Sequence, residues 1–282
     1  MGWNGLRFTV PADWQIDGIG RRYLLLASDA GPAMEATFNQ VRGRFSLKKA
    51  LRKLAAGAGG ARLAAEPLPQ AWQAALGRYE TAGFAWSGKR GAGQGAVLYC
   101  PVCRKATVIQ FYRAGAGPDF GPAARVLASF ADHPRAGEAL WAVFDFRAEA
   151  PERFTLTSHR IAAGTLELTL AAPGQTLRLY RWGPASALLA GRDLAAFARE
   201  RLQLPVFPGP AGKNPAGGGE ALEWSAAPGR VWRRLLRPGR RYDRARVWRL
   251  PEKNRILAVR LTGRRPGEAG FMDALSSKVT SV

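Results

Sequence analysis

Histidine and cysteine are nearly missing from this chain, with two of each among 282 residues. Two cysteines cannot build a disulfide framework. The histidines, His133 and His159, lack the H-x3-5-H spacing of a zinc finger. Neither stands in a motif with serine or cysteine that would make a nucleophile–base–acid triad. Acidic residues are few as well, 21 against 42 Lys+Arg, and none cluster as two-carboxylate or Mg²⁺ chemistry requires. The glycine pairs Gly59-Gly60 and Gly217-Gly218 do not join a strand to a helix, so neither reads as a phosphate loop. Apolar runs such as Tyr23–Ala27 fall far short of the roughly 18 residues a membrane span needs. The opening Met-Gly-Trp-Asn-Gly-Leu shows no charged segment, apolar core or cleavage site, so no signal peptide is expected and the expected compartment is the cytoplasm. No catalytic residue is left to name, and the expectation is a protein that is not an enzyme.

What is present is core-forming material and positive charge. Hydrophobic residues make up 47% of the chain, with nine Trp and thirteen Phe, which excludes general disorder. The formal charge is +21. It is spread evenly: 18 Lys+Arg face 8 Asp+Glu up to Arg135, and 24 face 13 after it. Such a balance suits a polyanionic partner, whether nucleic acid, anionic lipid or an acidic protein. It is equally what a GC-rich genome produces, since Arg outnumbers Lys about four to one.

The chain repeats itself. Phe8-Thr-Val-Pro11-Ala-Asp-Trp14 opens the first half, and Arg147-Ala-Glu-Ala-Pro151-Glu-Arg-Phe154 opens the second, each a Pro-x-x-aromatic step out of a strand. Later elements recur at offsets of roughly 140 to 150 residues, which is domain-sized. Tyr23-Leu-Leu-Leu and Leu166–Leu170 read as strands, each followed by a Gly/Pro turn and a second strand, Glu35–Val41 and Thr176–Trp182. Ser46 and Asp193 are N-caps for helices with apolar stripes at Leu47, Ala50, Leu51, Leu54 and at Leu194, Phe197, Ala198, Leu202. An exposed loop is expected from Pro205 to Gly219. Strands at Arg78–Ala82 and Leu222–Ser225 follow, then matching hairpins, Val97–Phe111 and Val247–Leu261, with Pro101 and Pro251 in their turns. Helical stripes at Ala123, Val126, Leu127, Phe130 and at Met272, Leu275, Val279 close the halves. The expected organisation is two α+β domains, 1–135 and 139–282, each an antiparallel sheet with helices packed on it.

A unit running from Pro11-Ala-Asp-Trp14 through hairpin, helix and meander to Ala124-Arg-Val-Leu-Ala-Ser-Phe130 resembles the PsbP-like fold, which includes bacterial DcrB-type domains. The second half departs from it in having Phe154 in place of Trp. The resemblance implies tandem α+β units and a non-enzymatic binding, adaptor or assembly factor with a protein partner. Fold alone does not fix function.

Two places carry candidate chemistry. Cys100-Pro-Val-Cys103 has the Cys-x2-Cys spacing that lets two thiolates reach one Zn²⁺. A four-ligand site would need His donors brought in by folding, or a second chain giving a zinc-bridged homodimer. Thioredoxin-like use is disfavoured, because the pair sits in a hairpin turn and not at a helix N-terminus. The alternative is that these are plain turn residues with no cofactor, since the second half has Leu250-Pro-Glu-Lys253 there. The other candidate is the stretch Arg230–Arg265, fourteen Arg or Lys against Asp243 and Glu252. Arg233, Arg234, Arg241, Arg244, Arg246 and Arg249, with Trp248, could bind nucleic acid or anionic lipid through phosphate contacts and stacking. Strand parity puts Arg244, Arg246 and Trp248 on one face, as a solvated sheet face also would. Trp182 and Ser186 form a lesser motif, read as a packed indole before a turn.

Overall fold

The computed structural model describes residues 1–57, 59–89, 91–113, 121–134, 137–206, 209–211, 220–226, 242–265 and 267–282. The chain divides into two compact units, Met1–Arg135 and Ala136–Val282. Strands dominate both, and the class is a β-rich α+β fold.

In the first unit a short hairpin, β1 (Gly2–Trp3) and β2 (Leu6–Arg7), precedes β3 (Gln15–Gly20), β4 (Tyr23–Ser28) and β5 (Gly31–Gln40). Then come α1 (Leu47–Ala56), β6 (Arg62–Ala65), α2 (Gln70–Ala75), β7 (Glu80–Gly88), β8 (Gly91–Tyr99), β9 (Lys105–Tyr112) and α3 (Ala123–Ser129). Seven strands form one antiparallel sheet in the order β3-β4-β5-β9-β8-β7-β6.

The second unit begins with β10 (Glu138–Val143) and β11 (Phe146–Pro151), followed by β12 (Thr155–Ala162), β13 (Thr165–Ala172) and β14 (Gln175–Trp182). Next are α4 (Ala185–Leu188), α5 (Leu194–Leu202), β15 (Gly209–Pro210), β16 (Ala221–Ala226), β17 (Tyr242–Leu250), β18 (Arg255–Gly263), α6 (Phe271–Ser276) and β19 (Val279–Ser281). Its sheet runs β12-β13-β14-β18-β17-β16-β15, while β11 pairs with both β10 and β19.

The two large sheets thus share one strand order, and the likeness extends to irregularities. Trp14 donates its amide to the Pro11 carbonyl, and Phe154 does the same to Pro151. The first strand pair of each sheet has a register shift at matching places, Ile16/Gly18 and Leu156/Ser158. Both helices start at their expected caps. Ser46 Oγ accepts from the Lys49 amide at 3.3 Å, and Asp193 Oδ1 from the Ala196 amide at 2.6 Å.

Three boundaries differ from the sequence reading. The closing stripe Met272, Leu275, Val279 is not one helix: α6 ends at Ser276, and β-branched Val279 pairs in β19. Arg78 precedes the strand, because the Tyr79 amide closes a turn on the Leu76 carbonyl. The strands β3 and β12 follow the Pro-x-x-aromatic turns, where no strand was expected. The loop expected from Pro205 to Gly219 falls largely outside the described residues.

Parity along each strand sends side chains to opposite faces of the sheet. In the first unit α2 lies on one face, where Trp72 meets Phe111 edge-on at 5.2 Å, and α3 packs against α2. On the other side α1 approaches β6, β7 and β8, yet buries none of its own residues. In the second unit α5 buries Leu194, Phe197, Ala198 and Leu202 against Tyr180, Trp182, Trp224 and Val247. Burying a side chain such as Phe197 is worth about 1.5–3 kcal/mol, and α1, whose apolar stripe is only half-buried, takes part of that gain.

Candidate metal centre

The β8–β9 turn, residues Cys100 to Lys105, is closed by the Cys100 amide donating to the Lys105 carbonyl at 3.0 Å. Arg104 adopts φ +55°, a left-handed conformation that turns the chain back sharply enough for both sulfurs to face the same way. The Lys105 amide points at Cys103 Sγ, a hydrogen bond that favours thiolate. The end of β5 braces the turn: Gln40 Nε2 donates to the Cys103 carbonyl at 2.6 Å, and Arg104 donates to the Gly43 carbonyl at 2.7 Å.

A second segment is delivered to the same place. After α3, buried Phe130 stacks on Phe8, and Arg7 and Ala131 exchange two backbone hydrogen bonds of 2.8 Å. That bridge fixes the chain just before Asp132-His133. One ligand atom from each of Cys100, Cys103, Asp132 and His133 lies within 4.8 Å of the others. Cys100 Sγ is 3.2 Å from His133 Nε2, Cys103 Sγ is 3.3 Å from Asp132 Oδ2, and His133 Nε2 is 3.4 Å from Asp132 Oδ1.

The three shortest separations, 3.2–3.4 Å, suit donors around a single ion, although those to Asp132 run to different oxygens and the set as a whole spans up to 4.8 Å. Tetrahedral Zn²⁺ with bonds of about 2.0–2.3 Å requires ligand–ligand edges of roughly 3.3–3.8 Å. Cysteine–histidine catalysis is a poorer fit. A triad needs cysteine and carboxylate on opposite ring nitrogens, whereas Cys100 and Asp132 both approach Nε2. Cys100 and Asp132 are each only 2% exposed.

The surroundings hold the donors in place. Tyr79 donates its hydroxyl to Asp132 Oδ1 at 3.2 Å, and burial followed by the Asp132 charge pushes that phenol up to about 12. Lys105 donates from Nζ to the Asp132 carbonyl at 3.0 Å, its pKa lowered by burial but supported by the sulfurs and Asp132. Burial, then the Asp132 charge, raises the Cys103 thiol to about 12. Without a metal that sulfur stays protonated; a coordinated cation displaces the proton. Two thiolates, one carboxylate and a neutral imidazole around Zn²⁺ carry one net negative charge, which the Lys105 ammonium offsets.

The sequence reading named Cys100 and Cys103 but not Asp132 and His133. Two further candidate donors therefore come from the same chain, where the bridged homodimer would draw them from a second one.

The arginine stretch is described only from Tyr242 onward. Arg233, Arg234 and Arg241 lie outside the described residues. Arg244, Arg246 and Trp248 do share a face of β17, which is covered at Arg246 and Trp248 and partly open at Arg244. Trp248 is fully buried and cannot stack on a base. Arg246 is 6% exposed and bridges Glu223 and Asp273 at 2.7 Å each, while Arg244 takes the other Glu223 oxygen at 2.7 Å. Burial raises the Glu223 carboxyl, but the hydrogen bonds and charges of Arg246 and Arg244 outweigh it and hold it below its usual range. Arg249 is half-buried. Trp182 is packed between Tyr180 and Phe197, and Ser186 is bonded to Asn254.

Among the described residues, no helix is long and apolar enough to cross a membrane. No protein-family model matches the chain, and no curated protein matches it. A crystal structure from Bacteroides thetaiotaomicron VPI-5482 is similar over 51% of this chain, at 13% identity and a TM-score of 0.31. The match spans about half the length of that solved chain, 49%.

Proposed function

We propose that this chain is a non-catalytic, zinc-binding protein of two tandem α+β units, with one structural Zn²⁺ held in the first. The observation that carries the metal reading is the convergence of Cys100 Sγ, Cys103 Sγ, Asp132 and His133 Nε2 within 4.8 Å, from segments about thirty residues apart. Sulfur, nitrogen and oxygen donors in a four-ligand set select Zn²⁺ over the hard cations. Four protein ligands leave no open position for a substrate, so the ion would staple the β8–β9 turn to the segment that ends the first unit. The common strand order and matching register shifts support the reading of two copies of one PsbP-like unit. A duplicated scaffold with a closed metal site suits a binding or adaptor role toward a protein partner, in the cytoplasm. The buried, ion-paired state of Arg246 and the burial of Trp248 weigh against polyanion binding through β17.

Titration with Co²⁺ tests the site. One equivalent should give the intense absorption of tetrahedral thiolate coordination, be displaced by one equivalent of Zn²⁺, and vanish in Cys100→Ser/Cys103→Ser. A pale octahedral spectrum, or binding that survives the double variant, overturns the metal reading. Steady turnover of a small molecule by the purified chain would overturn the non-catalytic part.

A further inference from the structure

A cavity of about 700 Å³ lies in the first unit between the end of α1 and the sheet, with Glu35, Leu54, Leu63, Trp86, Gln110 and Tyr112 in its walls. Two cross-strand rows build it. Trp86, Gly93 and Tyr112 are successive partners across β7, β8 and β9. The missing side chain at Gly93 lets the indole lie on the strand, since a Cβ there would come within 2.7 Å of Trp86 Nε1. Trp86 and Tyr112 then meet edge-to-face at 5.1 Å. In the next row Gly95, Gln110 and Glu35 are partners. Gln110 Nε2 and the Tyr112 hydroxyl both donate to Glu35 Oε2, each at 2.9 Å. The carboxylate is thereby fixed in orientation, and among the described residues no cation is ion-paired with it.

The second unit shows what the same place holds when it is filled. The β8–β9 and β17–β18 turns match, with left-handed Arg104 and Asn254 at corresponding positions, so the strand registers can be laid over one another. Gly95 then corresponds to Ala245, Gln110 to Arg260 and Gly93 to Asp243. From the two caps, Ala50 on α1 corresponds to Phe197 on α5. In the second unit Phe197 fills the space under the helix, and Arg260 grips Asp243 through Nε at 2.9 Å and a second nitrogen at 2.5 Å. A guanidinium on a carboxylate, beneath a helix, is thus built in. In the first unit Gln110 and Gly93 replace both members of that pair and the phenyl ring is gone, while a carboxylate enters from the neighbouring strand, Glu35 on β5, where the second unit has Arg178.

We infer that this cavity binds a small organic cation, a guanidinium or amine on an apolar stem, seated on Glu35 beside Trp86 and Tyr112. The carboxylate supplies a charge-assisted hydrogen bond and the aromatic faces a cation–π contact. The stem takes the space that Phe197 occupies in the other unit. Lys89 also lines the cavity; it is exposed and makes no ion pair with Glu35.

Calorimetry on the whole chain tests this with n-butylguanidinium and its uncharged isostere n-butylurea. The guanidinium should bind saturably and the urea at least tenfold more weakly. Glu35→Gln should weaken guanidinium binding at least tenfold, and Ala50→Phe should abolish it while raising the thermal midpoint. Equal binding of the two probes, no binding at millimolar concentration, or no effect of either substitution overturns the inference. A blocked Ala-Arg-Ala peptide distinguishes the sources. If it binds more tightly than n-butylguanidinium, the cation belongs to an arginine of a polypeptide; if more weakly, to a free small molecule. A folded Glu35→Gln chain, verified by circular dichroism, keeps a negative result from being a folding failure.

Discussion

The two hairpin turns, Pro101–Arg104 and Pro251–Asn254, have the same length and the same left-handed last residue, yet different chemistry holds them. In the second unit Asn254 does the work with its side chain, accepting from the Ser186 amide at 2.8 Å and donating to the Ser186 hydroxyl at 3.0 Å, while Leu250 is buried. In the first unit the corresponding tether is made of two sulfurs, an imidazole and a carboxylate. The helix faces differ in the same sense: the second is filled by Phe197 and its neighbours, and the first is left with a cavity. One framework therefore supports either a self-sufficient packed unit or one that, on the reading proposed above, takes its closing interactions from bound ligands.

That contrast can be broken at several points. Phe197→Ala should cost about 3–5 kcal/mol in urea unfolding of the second unit, because a large cavity opens in a closed core. Leu54→Ala, on a helix that buries none of its residues, should cost less than about 1 kcal/mol. Equal costs would show that the two helix faces are packed alike.

Chelation is expected to act on the first unit alone. Free Zn²⁺ at a hundred times its dissociation constant adds about 2.7 kcal/mol. Stripping it should therefore lower that unit's thermal midpoint by roughly 10 °C and leave the second unit's transition in place. Zinc affinity should also rise with pH from 5 to 8, since each thiol surrenders a proton on binding. Calorimetry in buffers of different ionisation enthalpy would count those protons.

Acid should be felt in the second unit. The Asp145 carboxyl is raised by burial but more strongly lowered by hydrogen bonds from Arg181 and Arg255, and Glu223 is likewise lowered by its arginines. Both fold with depressed pKa values, so their stabilisation is present above the ordinary carboxylate range and fades as pH falls through the folded values. A loss of about 1–2 kcal/mol from that unit between pH 5 and 2 is expected by chemical denaturation. Smaller still, Asp193→Ala and Ser46→Ala should each cost about 1 kcal/mol, measured as denaturation midpoints.

Much of the framework was legible in local pattern. The caps Ser46 and Asp193, the alternation in Leu166–Leu170 and the Cys-x2-Cys turn announce themselves within a few residues, because capping, pleat and turn chemistry are local. Asp132-His133 did not, for its pairing with the cysteines depends on the Arg7–Ala131 bridge and on the packing of Phe130, contacts that span most of the unit. His133, the one histidine in that half, adjacent to an aspartate at the end of a helical stripe, was the available signal. Arg246 shows the opposite limit. Parity put it on the correct face of β17, but that Asp273 on α6 covers it could not be read from the strand itself.

The most direct test is the zinc content of untagged chain, measured by inductively coupled plasma mass spectrometry after dialysis into zinc-free buffer. One Zn²⁺ per chain in the native protein, and none in folded Cys100→Ser/Cys103→Ser, is the expected result. A folded native chain that holds no zinc, either as purified or after reconstitution under reducing conditions, would contradict the account.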